Sequence, residues 1–169
     1  MTKKSKTEKI LEIIAAAILE TGAFIYPYKG ISLFKKYEGS LSQAIYNLKR
    51  NGCLEEVEQN GQKHLNITFK GKLRLISKKI TGKWDGYWRI IAFDIEEERK
   101  HNRNVFRAKL VELGCRVLQK SVWITPHDIS AELEAMIDLL GLHDNVDYFL
   151  SKALTNEEKY LKLFNLEKN

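Results

Sequence analysis

Tyr87-Trp-Arg-Ile-Ile-Ala-Phe-Asp-Ile95 opens the stretch that decides the fold, and Cys115-Arg-Val-Leu-Gln-Lys-Ser-Val-Trp-Ile124 closes it, with a charged segment and a helix between them. The first run is short, β-branched and aromatic, and apolar almost throughout, as a buried strand reads. Asp94 breaks it at the strand's end, where a scaffold presents chemistry; an acid in that place also caps the turn that follows.

Working forward, Glu96–Asn104 is strongly charged and leads into a helix with Phe106, Leu110 and Leu113 on one face and Gly114 as its stop. Arg116–Gln119 and Ser121–Ile124 are adjacent β runs closed by Thr125 and Pro126. Ile129, Leu133, Met136, Ile137 and Leu140 mark a second amphipathic helix ended by Gly141, and Val146–Leu150 is a last strand. The order β-α-β-β-α-β is the ferredoxin-like arrangement. Thr155-Asn-Glu-Glu158 has the form of a capping box and starts a terminal helix with Tyr160, Leu161 and Phe164 as its apolar residues.

Working backward, the preceding half has a different charge. Residues 1–83 carry 16 Lys/Arg against 7 Asp/Glu, a net +9, whereas residues 84–169 carry 12 against 15, a net −3. Two modules with different partners follow, and a polyanion suits the first. Ser5-Lys-Thr-Glu8 is a capping box before Ile10, Ile13, Ile14, Ala17 and Ile18 at helical spacing. Phe24–Gly30 reads as an aromatic connection and Ile31–Tyr37 as a short helix. Ser40-Leu-Ser-Gln43 reads as another capping box. It opens a helix with Leu41, Ala44, Ile45 and Leu48 on one face and Ser42, Gln43, Tyr46, Asn47, Lys49 and Arg50 on the other. The second set is hydrogen-bonding and cationic, the kind that reads base edges and holds phosphates.

Leu54–Glu58 and His64–Phe69 flank Asn60-Gly61, the strongest short-range hairpin signal in the chain. Two short helices, a helix with a polar face and a hairpin make a winged helix-turn-helix. Its tip residues Gln59, Asn60, Gln62 and Lys63 would touch the DNA backbone or minor groove. Gly71–Lys83 is expected to supply the exit helix and linker.

Apolar residues are 44% and charged residues 30% of the chain, an ordinary globular composition. No apolar run reaches a membrane span's length and no secretory leader is visible, so a cytoplasmic protein is expected. Cys53 and Cys115 lack metal-ligand spacing and read as small buried hydrophobes.

Trp84-Asp-Gly-Tyr-Trp88 with Phe93-Asp94-Ile95, then Arg103, Arg107, Leu110, Leu113, Gly114, Gln119, Ser121-Val-Trp-Ile124 and Pro126, resembles the central domain of PaaX-type transcriptional repressors. That domain is similar in turn to the small CRISPR-associated ferredoxin-fold protein (CRISPR-associated protein two). The resemblance covers about residues 84–150 and implies an N-terminal winged helix, which the first half supplies. PaaX repressors continue into a further C-terminal domain; this sequence ends after one short helix.

The expected architecture is α+β: a winged-helix DNA-binding domain over 1–80, a ferredoxin-like dimerisation domain over 84–154 and a C-terminal helix over 155–169. The expected function is a homodimeric regulator, a repressor, acting on double-stranded DNA. In the CRISPR-associated family the acid ending the first strand is implicated in metal binding across a dimer, and Asp94 matches that position, with Ser121 near it. The resemblance therefore implies an alternative: a Mg²⁺-dependent endonuclease on RNA or DNA, or an adaptation subunit working with a CRISPR integrase, with Asp94 as catalytic and metal-binding residue. Arg99, Lys100, Arg103 and Arg107 would touch nucleic acid in that reading and form ion pairs with Glu96–Glu98 in a regulator.

Overall fold

The computed structural model describes residues 5–21, 24–25, 38–77 and 84–167. The fold is mixed α+β, and the chain divides into two compact units, Met1–Ile76 and Ser77–Asn169.

In the first unit, helix α1 (Lys6–Thr21) starts at the capping box expected of it. The Ser5 N–H donates to Glu8 Oε2 at 2.8 Å and the Glu8 N–H donates to Ser5 Oγ at 3.2 Å, so two otherwise unpaired first-turn donors are satisfied reciprocally. Strand β1 (Phe24–Ile25) follows and pairs antiparallel with β3 (Gln62–Ile67), Phe24 against Leu65. The expected aromatic connection therefore begins as a strand; its remainder and the expected helix over Ile31–Tyr37 lie outside the described residues.

Helix α2 spans Glu38–Arg50, so Ser40 lies within its first turn and is not its N-cap. A capping box marks a start only where its first residue is outside the helix, and the backbone of residues 38 and 39 is already helical. Ile10, Leu11 and Ile14 of α1 pack with Leu41, Ala44, Ile45 and Leu48 of α2, and Leu54, Leu65 and Ile67 close this core from the hairpin.

The hairpin of β2 (Leu54–Gln59) and β3 turns at Asn60 and Gly61, whose φ values of 53° and 72° are the left-handed pair that a two-residue type I′ turn needs. Helix α3 (Phe69–Leu75) starts two residues before the expected Gly71, because Thr68 caps it: the Gly71 N–H donates to Thr68 Oγ1 at 3.1 Å. Gly71 has another reason to be glycine. A Cβ there would lie 2.2 Å from the Cys53 carbonyl oxygen.

In the second unit, β4 (Trp88–Phe93) leads through a 3₁₀ turn (Glu97–Arg99) into α4 (Lys100–Glu112). Then come β5 (Arg116–Gln119), β6 (Val122–Thr125), α5 (Ser130–Leu140), β7 (Val146–Ser151) and α6 (Glu157–Phe164). The four strands form one sheet in the order β5-β6-β4-β7 with every neighbouring pair antiparallel.

Alternation along β4 divides its side chains between two faces. Ile91 and Phe93 are buried on one, where Phe93 meets Phe106 of α4 edge to face at 5.2 Å. Trp88 is fully buried on the other, in a cluster with Ile124 of β6 and Tyr160 and Leu161 of α6. The box expected at Thr155 does not form: Asn156 precedes α6 and its side chain makes no cap bond. Docking onto Trp88 holds α6 instead, through the Phe164 ring at 5.9 Å and a 3.0 Å hydrogen bond from Trp88 Nε1 to Glu157 Oε1. Both cysteines are buried, as expected, and burial pushes the Cys115 thiol up to about 12.

Candidate nucleic-acid interface

The amphipathic pattern of α2 divides the helix as the spacing requires. Its apolar side faces the core, while Ser42, Gln43, Tyr46 and Arg50 are exposed and Asn47 is half-buried beside them. These residues run i, i+1, i+4, i+5 and i+8, one continuous strip. Gln43 Nε2 donates to Asn47 Oδ1 at 3.2 Å, and the Arg50 guanidinium lies 5.9 Å from the centroid of the Tyr46 ring. Tyr46 is 57% exposed, far more than a tyrosine held for packing. The strip thus presents two amides with paired donors and acceptors, an aromatic ring and a guanidinium.

Lys49 does not join that strip. Its Nζ lies 2.9 Å from Glu56 Oε2 on β2, and the hydrogen bond from Lys49 holds the Glu56 carboxyl below the usual carboxylate range. Asn60, Gln62 and Lys63 are exposed at the hairpin tip as expected, together with Gln59. The charge balance of the half conceals one feature: β2 is an acidic strand. Glu55, Glu56 and Glu58 are all exposed, Glu55 accepting from Asn66 Nδ2 and Glu58 standing opposite Lys63. The run Glu55-Glu-Val-Glu58 was visible as a signal, but a net charge summed over 83 residues averages it away. Its exposed carboxylates make β2 unfavourable for phosphate.

In the second unit Asp94 is exposed one residue beyond β4, and its backbone is clamped. Its N–H donates to the Asn145 carbonyl at 2.9 Å and its carbonyl accepts from Asn145 Nδ2 at 2.8 Å. The Phe93 N–H donates to the Ser121 carbonyl at 3.0 Å, so Ser121 does sit beside this corner. Asp94 does not cap the following 3₁₀ turn; Glu96 occupies that position, without a side-chain bond. Asp147, passed over in the sequence, pairs with Ala92 across β4 and β7 and by alternation shares a sheet face with Asp94. Strand register brings the two acids to one face, and nothing in their spacing announces it. Among the described residues no group of three or more His, Cys, Asp or Glu side chains is placed to hold a metal.

Of Arg99, Lys100, Arg103 and Arg107, in the 3₁₀ turn and α4, the first three have structural work. Arg99 Nη2 donates to the Leu140 and Gly141 carbonyls, both at 2.8 Å, closing the C-terminal end of α5. Arg103 pairs with Glu97 at 2.7 Å and donates to the Ile95 carbonyl, and Lys100 lies 3.6 Å from Glu97. Arg107 alone of the four is exposed with no ion pair among the described residues.

The segment Trp84–Arg89 is likewise a frame. Both Asp85 carboxylate oxygens accept from Arg89 at 2.6 Å, and this guanidinium holds the Asp85 carboxyl down to about 2. Arg89, nearly fully buried, also donates to the Tyr87 and Pro126 carbonyls. Trp84 Nε1 donates to the Tyr87 carbonyl, and Gly86 takes a φ of 82° between them. No helix among the described residues is long and apolar enough to cross a membrane.

Residues 81–162 match the family model described as the PaaX protein central Cas2-like domain. No curated protein gives a significant match to the chain. The matched span holds the Asp85–Arg89 frame, all four strands of the larger sheet and the start of α6, so it is the second unit that is similar to the PaaX central Cas2-like domains.

Proposed function

We propose that this chain is a homodimeric, DNA-binding transcriptional regulator of PaaX type, acting as a repressor. In this reading the first unit is a winged helix-turn-helix with α2 as recognition helix and the β2–β3 hairpin as wing. The second is a ferredoxin-like domain; its antiparallel strand order and its β-α-β-β-α-β succession support that assignment. The observation that carries the proposal is the exposed strip Ser42, Gln43, Tyr46, Asn47 and Arg50 on a helix whose other face is core, in a half of net charge +9.

The chemistry follows from the groups. Gln43 and Asn47 carry the amide edge that bonds adenine N6 and N7, and Arg50 carries the fork that bonds guanine O6 and N7. Asn60, Gln62 and Lys63 fix register on the backbone without reading sequence. Two chains about a two-fold axis place two α2 helices on two half-sites.

The test is fluorescence anisotropy on duplexes from the region upstream of the gene. Arg50→Ala is expected to weaken specific binding by roughly 1–3 kcal/mol, as loss of a bidentate base contact does. Binding of equal strength and sequence preference in Arg50→Ala would remove α2 from the interface.

One observation favours a second reading as a Mg²⁺-dependent endonuclease or an adaptation subunit partnering an integrase. The Asp94 carboxylate is exposed on a clamped backbone, with no partner among the described residues, and Asp147 shares its face. One or two carboxylates with retained waters suit Mg²⁺, and when bound the ion would supply an activated water. Cleavage of RNA or DNA that requires Mg²⁺ and is lost in Asp94→Ala would establish it.

A further inference from the structure

The two edges of the larger sheet are built differently. β5 is four residues long, carries a register shift between Val117 and Gln119, and is bounded by Arg116 and Lys120. Short length, a bulge and cations are the means by which an edge strand avoids pairing. β7 has none of these. Its six residues, Val-Asp-Tyr-Phe-Leu-Ser, pair with β4 in unbroken register, and they contain neither lysine nor proline. Phe149 and Leu150 are 52% and 60% exposed.

Hydrogen-bond direction shows what that edge offers. The Phe93 N–H points to β6, where it meets the Ser121 carbonyl, and the Asp94 N–H points to β7, where it meets the Asn145 carbonyl. Residues 88, 90 and 92 therefore turn their backbone groups toward β7, and their register partners Ser151, Phe149 and Asp147 turn theirs back. Val146, Tyr148 and Leu150 are left with N–H and C=O directed outward, on the outermost strand of the sheet.

We propose that β7 is the seam between two copies of this chain, pairing antiparallel with its own symmetry mate into one continuous eight-stranded sheet. The inference rests on the homodimer reading above and says which surface serves it. The ends of the strand favour self-pairing over another partner. Asp144 and Asp147 lie at its start and Lys152 just past its finish, so a two-fold axis brings the acidic end of one copy against the basic end of the other. Phe149 and Leu150 lose their exposure across the same axis, which also joins the backbone groups that a lone sheet edge leaves to water.

Sedimentation velocity on the full chain at micromolar concentrations is the test, joined to amide exchange at two concentrations. Wild type is expected to be a dimer whose Val146, Tyr148 and Leu150 amides exchange about tenfold or more slowly at the higher concentration. Leu150→Lys, which places a charge at the seam, is expected to weaken association by roughly tenfold or more. Should that variant fail to fold, Lys152→Glu provides the same readout, since in its own chain Lys152 touches only the Tyr87 ring among the described residues; adding Asp144→Lys and Asp147→Lys is then expected to restore the dimer. A wild-type dimer that all these variants leave intact overturns the seam and leaves the homodimer standing. Protection of these amides that does not change with concentration means that a segment of the same chain covers the edge, and also overturns it. A wild type that is monomeric throughout removes the homodimer and the seam together.

Discussion

Asp85 and Arg89 show how a signature residue can be frame and not chemistry. Arg89 is nearly buried, so its charge requires partners, and Asp85 provides a bidentate one at 2.6 Å. The Asp85 carboxyl is held at about 2 against an ordinary 3.8. Its folded-state pKa is depressed, so the pair contributes stability that is present above about 3.8 and lost as pH falls toward about 2. The Asp85 side chain is half exposed, so solvent screens the contribution. Asp85→Asn is therefore expected to lower the urea midpoint at neutral pH, with the difference from wild type vanishing by about pH 2. A gap that persists to that pH would mean the carboxylate acts otherwise. Gly71 makes a separate case. A methyl group there would press on the Cys53 carbonyl, which is backbone and yields little. Gly71→Ala is expected to cost roughly 1–3 kcal/mol in thermal unfolding of the first unit, as overpacking does.

At the scale of elements, α2 and β2 are opposed in charge, and their contact decides which cations are free. Lys49 is held by Glu56, whereas Arg50 is not held by an acid among the described residues. Salt dependence separates them, because each phosphate contact contributes about 0.9 to the slope of log K against log salt. Lys49→Ala is expected to leave that slope nearly unchanged. Glu56→Gln frees Lys49 and removes a negative charge from the hairpin, so it is expected to tighten DNA binding and to steepen the slope by about one. An unaltered slope in Glu56→Gln would show that Lys49 faces away from the nucleic acid. The same reasoning explains α6: a helix of eight residues is marginal alone, and its stability comes from docking on Trp88.

At the scale of the molecule, the proposed two-fold dimer, with one α2 strip per chain, would bind a palindrome through two linked events. Joining them raises affinity for a full site over a half-site by roughly 10²–10⁴ when the geometry permits both contacts. Titration of full-site and half-site duplexes is expected to show that ratio, and Leu150→Lys to lower it toward unity while half-site affinity stays the same. Equal affinity for the two duplexes would show that the strips work independently.

Local patterns carried much of this protein's structure. The Ser5–Glu8 box, the Asn60-Gly61 turn, the α2 face and the succession of elements from β4 to β7 are each written in a few neighbouring residues, since capping, turn φ values and side-chain periodicity act over less than two helical turns. The boxes at Ser40 and Thr155 were misleading because the same four-residue pattern occurs inside a helix and beside a docked one, and only the surrounding chain separates these cases. What the tertiary structure decided is everything that depends on partners distant in sequence. Glu56 engages Lys49 beside the exposed α2 strip, Asn145 clamps Asp94, and Ala92 brings Asp147 to the same face. The unequal edges β5 and β7 exist only once the strands have been ordered. Charge, register and edge exposure are properties of pairs and sheets, and no local reading of the chain contains them.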